Sequence, residues 1–409
     1  MTDVLVDGDV FGILDQGKLL WGPYFISPTT CAVVFIQATT TDVVFARTTN
    51  AGDNPPTWAT TVLHTGTDIR FAAWFDQETP GDTGTLVHVL IMDALLGDNM
   101  FYRSFDISDA SLGTLRTVDA VVTISSTSTE NQCAITKTRS GNLVAAFSTQ
   151  SEIECYRSTD SGATWTDRAD VFETTTEEDH LLLFPANTGD DDDACAVFWD
   201  KSADEISLKM YDESADTWTE FATLIAATAV DDPFQYHIDG AVRHSDSHVL
   251  VAWHSDNDTT GDDIETADLT VDSIASPTVT AKTNVVTNQA GSGAVGMLIN
   301  QQNDDVYVAY CKGGTWQSLT DVVFHKSTDG MGVWGTEQAY TDSASDDFRL
   351  ASGGRTVGDG GGRFMPVWYD DDETEIRHSD SNDVEIAAAS TATSLLPRYG
   401  HPMRHLIGR

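Results

Sequence analysis

Seven short apolar runs recur along the 409-residue chain, spaced roughly 45 to 55 residues apart, and no long segment of helical period interrupts them. They occupy residues 31–37, 86–93, 143–148, 194–200, 249–254, 306–311 and 363–370. A polar turn follows each, and then a run of alternating character at 42–47, 99–105, 152–157, 205–211, 263–269, 321–326 and 375–378. Runs this short, bounded by Asp, Gly, Asn, Ser and Thr clusters, are strands joined by tight turns. A regular array of them constrains the chain to a repeat fold in which each unit buries its faces against its neighbours.

The most specific stretch within the array is Tyr156-Arg-Ser158-Thr-Asp160-Ser-Gly162-Ala-Thr-Trp165. It recurs as Ser327-Thr-Asp329-Gly-Met-Gly332-Val-Trp334, where Asp329, Gly332 and Trp334 are expected to take the parts of Asp160, Gly162 and Trp165. Both copies sit where a third strand turns into a fourth. Weaker versions follow the first unit (Thr48 to Gly52, then Thr57-Trp58) and the fourth (Asp212 to Asp216, then Thr217-Trp218). A carboxylate in such a turn can accept backbone N–H groups that lack ladder partners, a glycine can take positive φ, and a tryptophan can pack beneath. Four antiparallel strands per unit at this period predict an all-β β-propeller over residues 1–390. The first inner strand falls near 19–26 and the last outer strand near 384–389, with a basic tail at 391–409.

The pattern Ser-x-Asp-x-Gly-x-Thr-Trp resembles the Asp-box, or BNR repeat, of sialidase-like β-propellers. Known sialidases have six blades, whereas seven second strands are counted here, so seven blades are expected, with six as the alternative. The resemblance implies that Ser158, Asp160, Gly162, Trp165, Ser327, Asp329, Gly332 and Trp334 are fold staples lying away from any ligand. In an antiparallel blade the one–two and three–four turns share one face of the disc, while the two–three turns and blade connections share the other. Ligand is therefore expected on the second face. Arg70 and Arg349, at blade entries, and Tyr236-His237, at the fifth entry, are the candidates there. The resemblance also implies an arginine triad, a tyrosine nucleophile with its glutamate, and an aspartate acid/base for sialidase chemistry. No Arg-Ile-Pro motif stands near the first blade, and two arginines fall short of a triad, so no catalytic residue is assigned.

Charge bears on partners. The chain carries 64 acidic against 22 basic residues, a formal net charge of −42, with Asp outnumbering Glu 49 to 15 and only 7 lysines. With 40% apolar residues and ten tryptophans it is a folded acidic protein, not a disordered one. Self-repulsion on this scale is screened in molar salt, where the Debye length is about 3 Å. The profile resembles proteins of halophilic archaea and their viruses. A nucleic-acid partner is disfavoured because phosphate contacts need a basic patch. No run of 18 apolar residues is present, so no membrane span is expected, and the first residues lack the features of a secretion signal.

Acidic turns at 78–82, 190–193, 256–263 and 370–373 are expected on the ligand face as solvated loops. Calcium there is the alternative, although none matches a complete calcium loop. Otherwise no cofactor is expected, because the histidines show no metal-ligand spacing. His254, His325 and His378 read as packing or turn residues, and Cys31, Cys133, Cys155, Cys195 and Cys311 as buried thiols, with Cys133–Cys155 the one conceivable bridge. Trp199, Trp253, Tyr310, Trp368 and Tyr369 read as inter-blade packing, with a sugar-stacking platform as the alternative. The tail after Glu385 lacks acids and carries Arg398, Arg404 and Arg409, which suit either folding back onto the body or anchoring to a neighbouring subunit.

The expected function is a non-enzymatic virion structural protein, a surface or tail-associated propeller. It would contact other virion proteins and host glycan or S-layer, perform attachment or assembly, and assemble as a homo-oligomer where the tail docks on a second copy. The alternatives are a sialidase-like or other glycoside hydrolase and an intracellular protein-interaction scaffold. The expected location is the virion, with the exterior or cytoplasm of a halophilic archaeon as alternatives.

Overall fold

The computed structural model describes residues 3–389 except 11–19, 67–68, 94–98, 121–131, 150–151, 173–179, 201–202, 204, 227–237, 256–261, 290–291, 314–320, 342–347, 353, 371–374 and 380–382. Seven antiparallel sheets form the blades of an all-β propeller. The inner strands are Leu20–Ser27, Ile69–Phe75, Cys133–Lys137, His180–Pro185, Ile238–Val242, Ser292–Asn300 and Phe348–Ser352. Each touches the next, and the seventh touches the first, which closes the ring.

Local chemistry explains the layering. Second strands such as Leu143–Ser148 and Val249–Ser255 are buried along their whole length. They are continuously apolar because a neighbouring blade covers each face. Outer strands such as Thr217–Glu220 and Thr278–Ala281 are short, polar and mostly exposed, which blunts the open edge against pairing with other chains. Trp199, Trp253, Tyr310, Trp368 and Tyr369 are all buried, so they pack between blades and form no exposed stacking platform. All five cysteines are buried free thiols, so Cys133 and Cys155 are not bridged. His254, His325 and His378 are buried as well.

The seventh blade corrects two expectations. The run at 363–370 is not one strand. Gly362–Phe364 pairs with Val384–Ile386, and only Val367–Asp370 joins the blade. The break falls at Met365-Pro366, where proline has no N–H for the ladder. Consequently the segment expected as the last outer strand is diverted to Gly362–Phe364. The outer place is filled from the other end of the chain by Asp3–Asp7, antiparallel to Glu375–Ser379. Hydrogen bonds from Thr60 Oγ1 to Asp7 (2.9 Å) and from Thr39 N to Asp9 (2.9 Å) fasten the following residues to blade 1.

The two Asp turns also adjust the expectation. In blade 3, Asp160 Oδ1 accepts from Ser158 Oγ (2.9 Å) and Thr164 N (2.8 Å), and Oδ2 accepts from Thr164 Oγ1 (2.7 Å). Ser158 Oγ in turn accepts from Gly162 N (2.8 Å), and Ser161 and Gly162 both have positive φ. In blade 6 the residue donating to Ser327 Oγ is Met331 (3.0 Å), and the positive-φ pair is Gly330 and Met331. Gly332 is thus not the counterpart of Gly162; it is one residue late, and it donates to Asp329 Oδ1 instead (3.1 Å). In blade 1, Asn50 Oδ1 accepts from Thr48 Oγ1, Thr57 N and Thr57 Oγ1, doing the aspartate's work without its charge.

The tryptophan after each turn reaches sideways onto the preceding blade. Trp165 meets Tyr102 of blade 2 edge-on, with centroids 5.4 Å apart, and Trp58 meets His378 of blade 7 at 5.9 Å. Trp218 donates to the Ala169 carbonyl of blade 3 (3.1 Å) and Trp334 to the Thr283 carbonyl after the outer strand of blade 5 (2.8 Å). Four of the seven seams are therefore stitched by the same device, the amphipathic indole giving area and, in two cases, a hydrogen bond.

Candidate functional site at the axial mouth

Every inner strand runs toward the face that carries the Asp turns and ends there in a one–two turn. Turns from blades 2, 5, 6 and 7, with Ile26 near the end of the inner strand of blade 1, surround a cavity of about 430 Å³ at the mouth of the axis. Gln77, Asp82 and Thr83 come from blade 2, His244 from blade 5, Gln301 from blade 6 and Asp359 from blade 7. The lining offers amide, hydroxyl, imidazole and carboxylate groups set among apolar surface from Ile26, from Gly81, Gly358 and Gly360, and from the side-chain stems.

Hydrogen bonds hold these groups in place. Gln301 Oε1 accepts from His244 N (2.8 Å), while its Nε2 donates to the Val242 carbonyl (2.9 Å) and Thr356 Oγ1 (3.0 Å). Gln77 Nε2 donates to the Gly84 carbonyl (3.2 Å). Burial pushes the His244 imidazole below its ordinary value, against a hydrogen bond to the Glu78 backbone, and its Nε2 has no hydrogen-bond partner. Lys137 lies between Asp76 (2.5 Å) and Asp82 (2.7 Å). Asp76 also accepts from His88 (2.9 Å), whose other nitrogen meets the Tyr102 hydroxyl (2.7 Å). Burial alone would raise the Asp76 carboxyl; His88 and Lys137 outweigh it and hold it at about 2.

The axis is plugged. After its inner strand, blade 7 sends Arg355–Val357 alongside Leu298, Ile299 and Asn300 of blade 6, in parallel pairing. Arg355 is 4% exposed and donates from Nε to Asp239 of blade 5 (2.9 Å). Its guanidinium lies 4.6 Å from the Trp21 ring centroid of blade 1 and 5.7 Å from that of Phe184 of blade 4. One side chain thereby joins four blades across the ring centre. A buried ion pair adds little net stability, but removing one partner strands the other at a cost of about 3–5 kcal/mol.

The acidic turns at 78–82 and 190–193 lie between first and second strands, so they belong to the Asp-turn face, against expectation; Asp192 there accepts from Asn142 and Arg157. Residues 256–261 and 371–373 of the other two acidic turns lie outside the described residues. Among the described residues no group of three or more His, Cys, Asp or Glu is arranged to hold a metal ion.

Of the predicted ligand candidates, only Arg70 is described with its side chain, and it does not line the cavity. Arg70 stands near the start of its inner strand, paired with Met92, on the opposite face and 9% exposed. Arg349 lies in the inner strand of blade 7, but its side chain, like Tyr236, His237 and the tail residues Arg398, Arg404 and Arg409, is outside the described residues. Gln77, His244, Gln301 and Asp359 were missed by sequence reasoning. Their shared signal is position: each falls within a few residues of the end of an inner strand, or of its continuation in blade 7.

No protein-family model and no curated protein matches the sequence. Among solved structures, the fold is similar to that of an ulvan lyase of polysaccharide lyase family PL25, bound to -[GlcA(1-4)Rha3S]-. The two are 10% identical, 95% of each chain is covered, and the TM-score is 0.53. A protein of unknown function from Dyadobacter fermentans aligns at 13% identity over 76% of this chain and 94% of its own, with a TM-score of 0.47. A Hadza microbial sialidase aligns at 11% identity over 91% and 66%, with a TM-score of 0.45. At such identities the likeness speaks to fold alone. Among the described residues no helix is long and apolar enough to cross a membrane.

Proposed function

We propose that this protein is a non-catalytic virion structural component, a surface or tail-associated propeller that attaches to host glycan or S-layer, and that it takes saccharide at the axial mouth. The observation that carries the reading is the cavity itself. Amide, hydroxyl, imidazole and carboxylate groups exchange hydrogen bonds with sugar hydroxyls, and blades 2, 5, 6 and 7 supply them around one opening. The ulvan lyase supports it at the level of a fold that handles saccharide. A net charge of −42 supports a particle exposed to brine.

Titration calorimetry and a glycan array in molar salt test it. Wild-type protein binds saccharide, and Gln77→Ala weakens binding about tenfold, the effect of roughly 1.4 kcal/mol. Turnover of fluorogenic glycosides or of polyuronates would overturn the non-catalytic reading in favour of a sialidase-like or other carbohydrate-processing enzyme. Absence of the chain from purified particles of the host virus would overturn the structural role.

A further inference from the structure

From the charges around the axial mouth, we infer that the ligand taken there is a cationic amino sugar, one with a free amine, and that uronate and sialate residues are turned away. This rests on the reading of the cavity as the saccharide site. It departs from the ulvan lyase, whose bound ligand contains glucuronate.

Among the described residues, the cations Lys137, Arg139 and Arg355 near the mouth each have an acidic partner. Lys137 is clamped between two carboxylates, Asp76 and Asp82. Arg139 donates to Ser247 Oγ (2.7 Å) and lies 3.4 Å from Asp191. Arg355 is held on the axis by Asp239. His244, neutral at ordinary pH because its ring is desolvated, offers no charge.

The carboxylates tell the opposite story. Asp359 lines the cavity, is exposed, and pairs with no cation among the described residues. It shares the lining with Asp82, whose single cation is already shared with Asp76. A carboxylate on the ligand would meet this rim without a counter-charge, whereas an ammonium would find Asp359 waiting.

Binding of chitosan oligomers, of their N-acetylated counterparts and of polyuronate oligomers of equal length is compared at several salt concentrations. The amine form binds about tenfold more tightly than the N-acetylated form at low salt, and the preference shrinks as the Debye length falls from about 10 Å at 0.1 M. Asp359→Asn removes that preference, whereas the same exchange at Asp53, exposed in the turn of blade 1, keeps it, which separates the site from general attraction to an acidic surface. Uronates that bind as well as amines, or a preference that survives Asp359→Asn, overturn the inference while the saccharide-site reading stands. No binding of any of the three overturns both.

Discussion

The turns Ser158–Trp165 of blade 3 and Ser327–Trp334 of blade 6 share Ser, Thr, Asp and Trp, yet they solve the same bend in two ways. In blade 3 the glycine is the second residue of the left-handed pair, and in blade 6 it is the first. Surroundings decide which. A Cβ on Gly162 would overlap the Tyr102 ring, so nothing but glycine fits there, whereas the equivalent Met331 is fully buried in its own cluster. The carboxylates differ too. Thr164 binds both oxygens of Asp160, but its counterpart Val333 is 67% exposed and offers Asp329 only its backbone N–H. The fixed part of the motif is thus the Ser–Asp hydrogen-bond frame, and the glycine position follows the neighbouring blade.

The largest effect expected is at Gly162. Gly162→Ala combines positive φ with a collision against a buried ring and should cost about 3 kcal/mol or more. Gly330→Ala should cost about 1 kcal/mol, because its nearest neighbour is the Arg243 guanidinium at 3.3 Å and only backbone strain remains. Chemical denaturation of both variants checks the contrast, and equal losses would break it.

Acid should separate two of the indole seams next. Burial pushes His378, under Trp58, down to about 4, so it is neutral when folded while the unfolded chain gains a proton below its ordinary value. That seam therefore loses stability as pH falls from about 6.5 to 4, by on the order of 3 kcal/mol. At the Trp165 seam, Tyr102 is held by His88 and Asp76, whose carboxyl sits at about 2. The stability it contributes is present above its unfolded value and is lost only as pH falls from about 4 to 2. Hydrogen exchange followed by mass spectrometry should show Asp3–Asp7 and the Trp58 turn opening first; simultaneous opening would refute the ordering.

Asp160→Ala abandons two hydroxyl donors and one backbone N–H, and Asp329→Ala one hydroxyl and two backbone N–H groups, so the two should lower Tm by similar amounts, which thermal scans in molar salt measure. The smallest effect is the exchange of the following residue. Thr164→Val should cost about 0.5–1 kcal/mol and Val333→Thr gain a similar amount, so that the two turns converge in stability.

Much of the fold was legible because strand alternation and turn chemistry are local. Third strands fell close to their expected positions in all seven blades and second strands in six, since each is a run of apolar residues between turn formers. The seventh blade was harder to read. Residues 384–389 carry an adequate strand pattern, and only the break at Pro366 and the arrival of Asp3–Asp7 decide that Val384–Ile386 pairs elsewhere. The candidate site was less legible still. Arg70 and Arg349 stand out in the sequence as charges at blade entries, whereas the cavity's charged and amide groups are two glutamines, a histidine and two aspartates drawn from four blades.

By itself, the sequence determined the repeat, the number of blades and the turns that staple them, because those depend on contacts between residues close along the chain. The tertiary structure alone decided how the ring closes, which blade each tryptophan grips, and which turns converge at the axis. Those outcomes depend on where residues hundreds of positions apart arrive when seven sheets pack around a common centre, and no local pattern encodes that geometry.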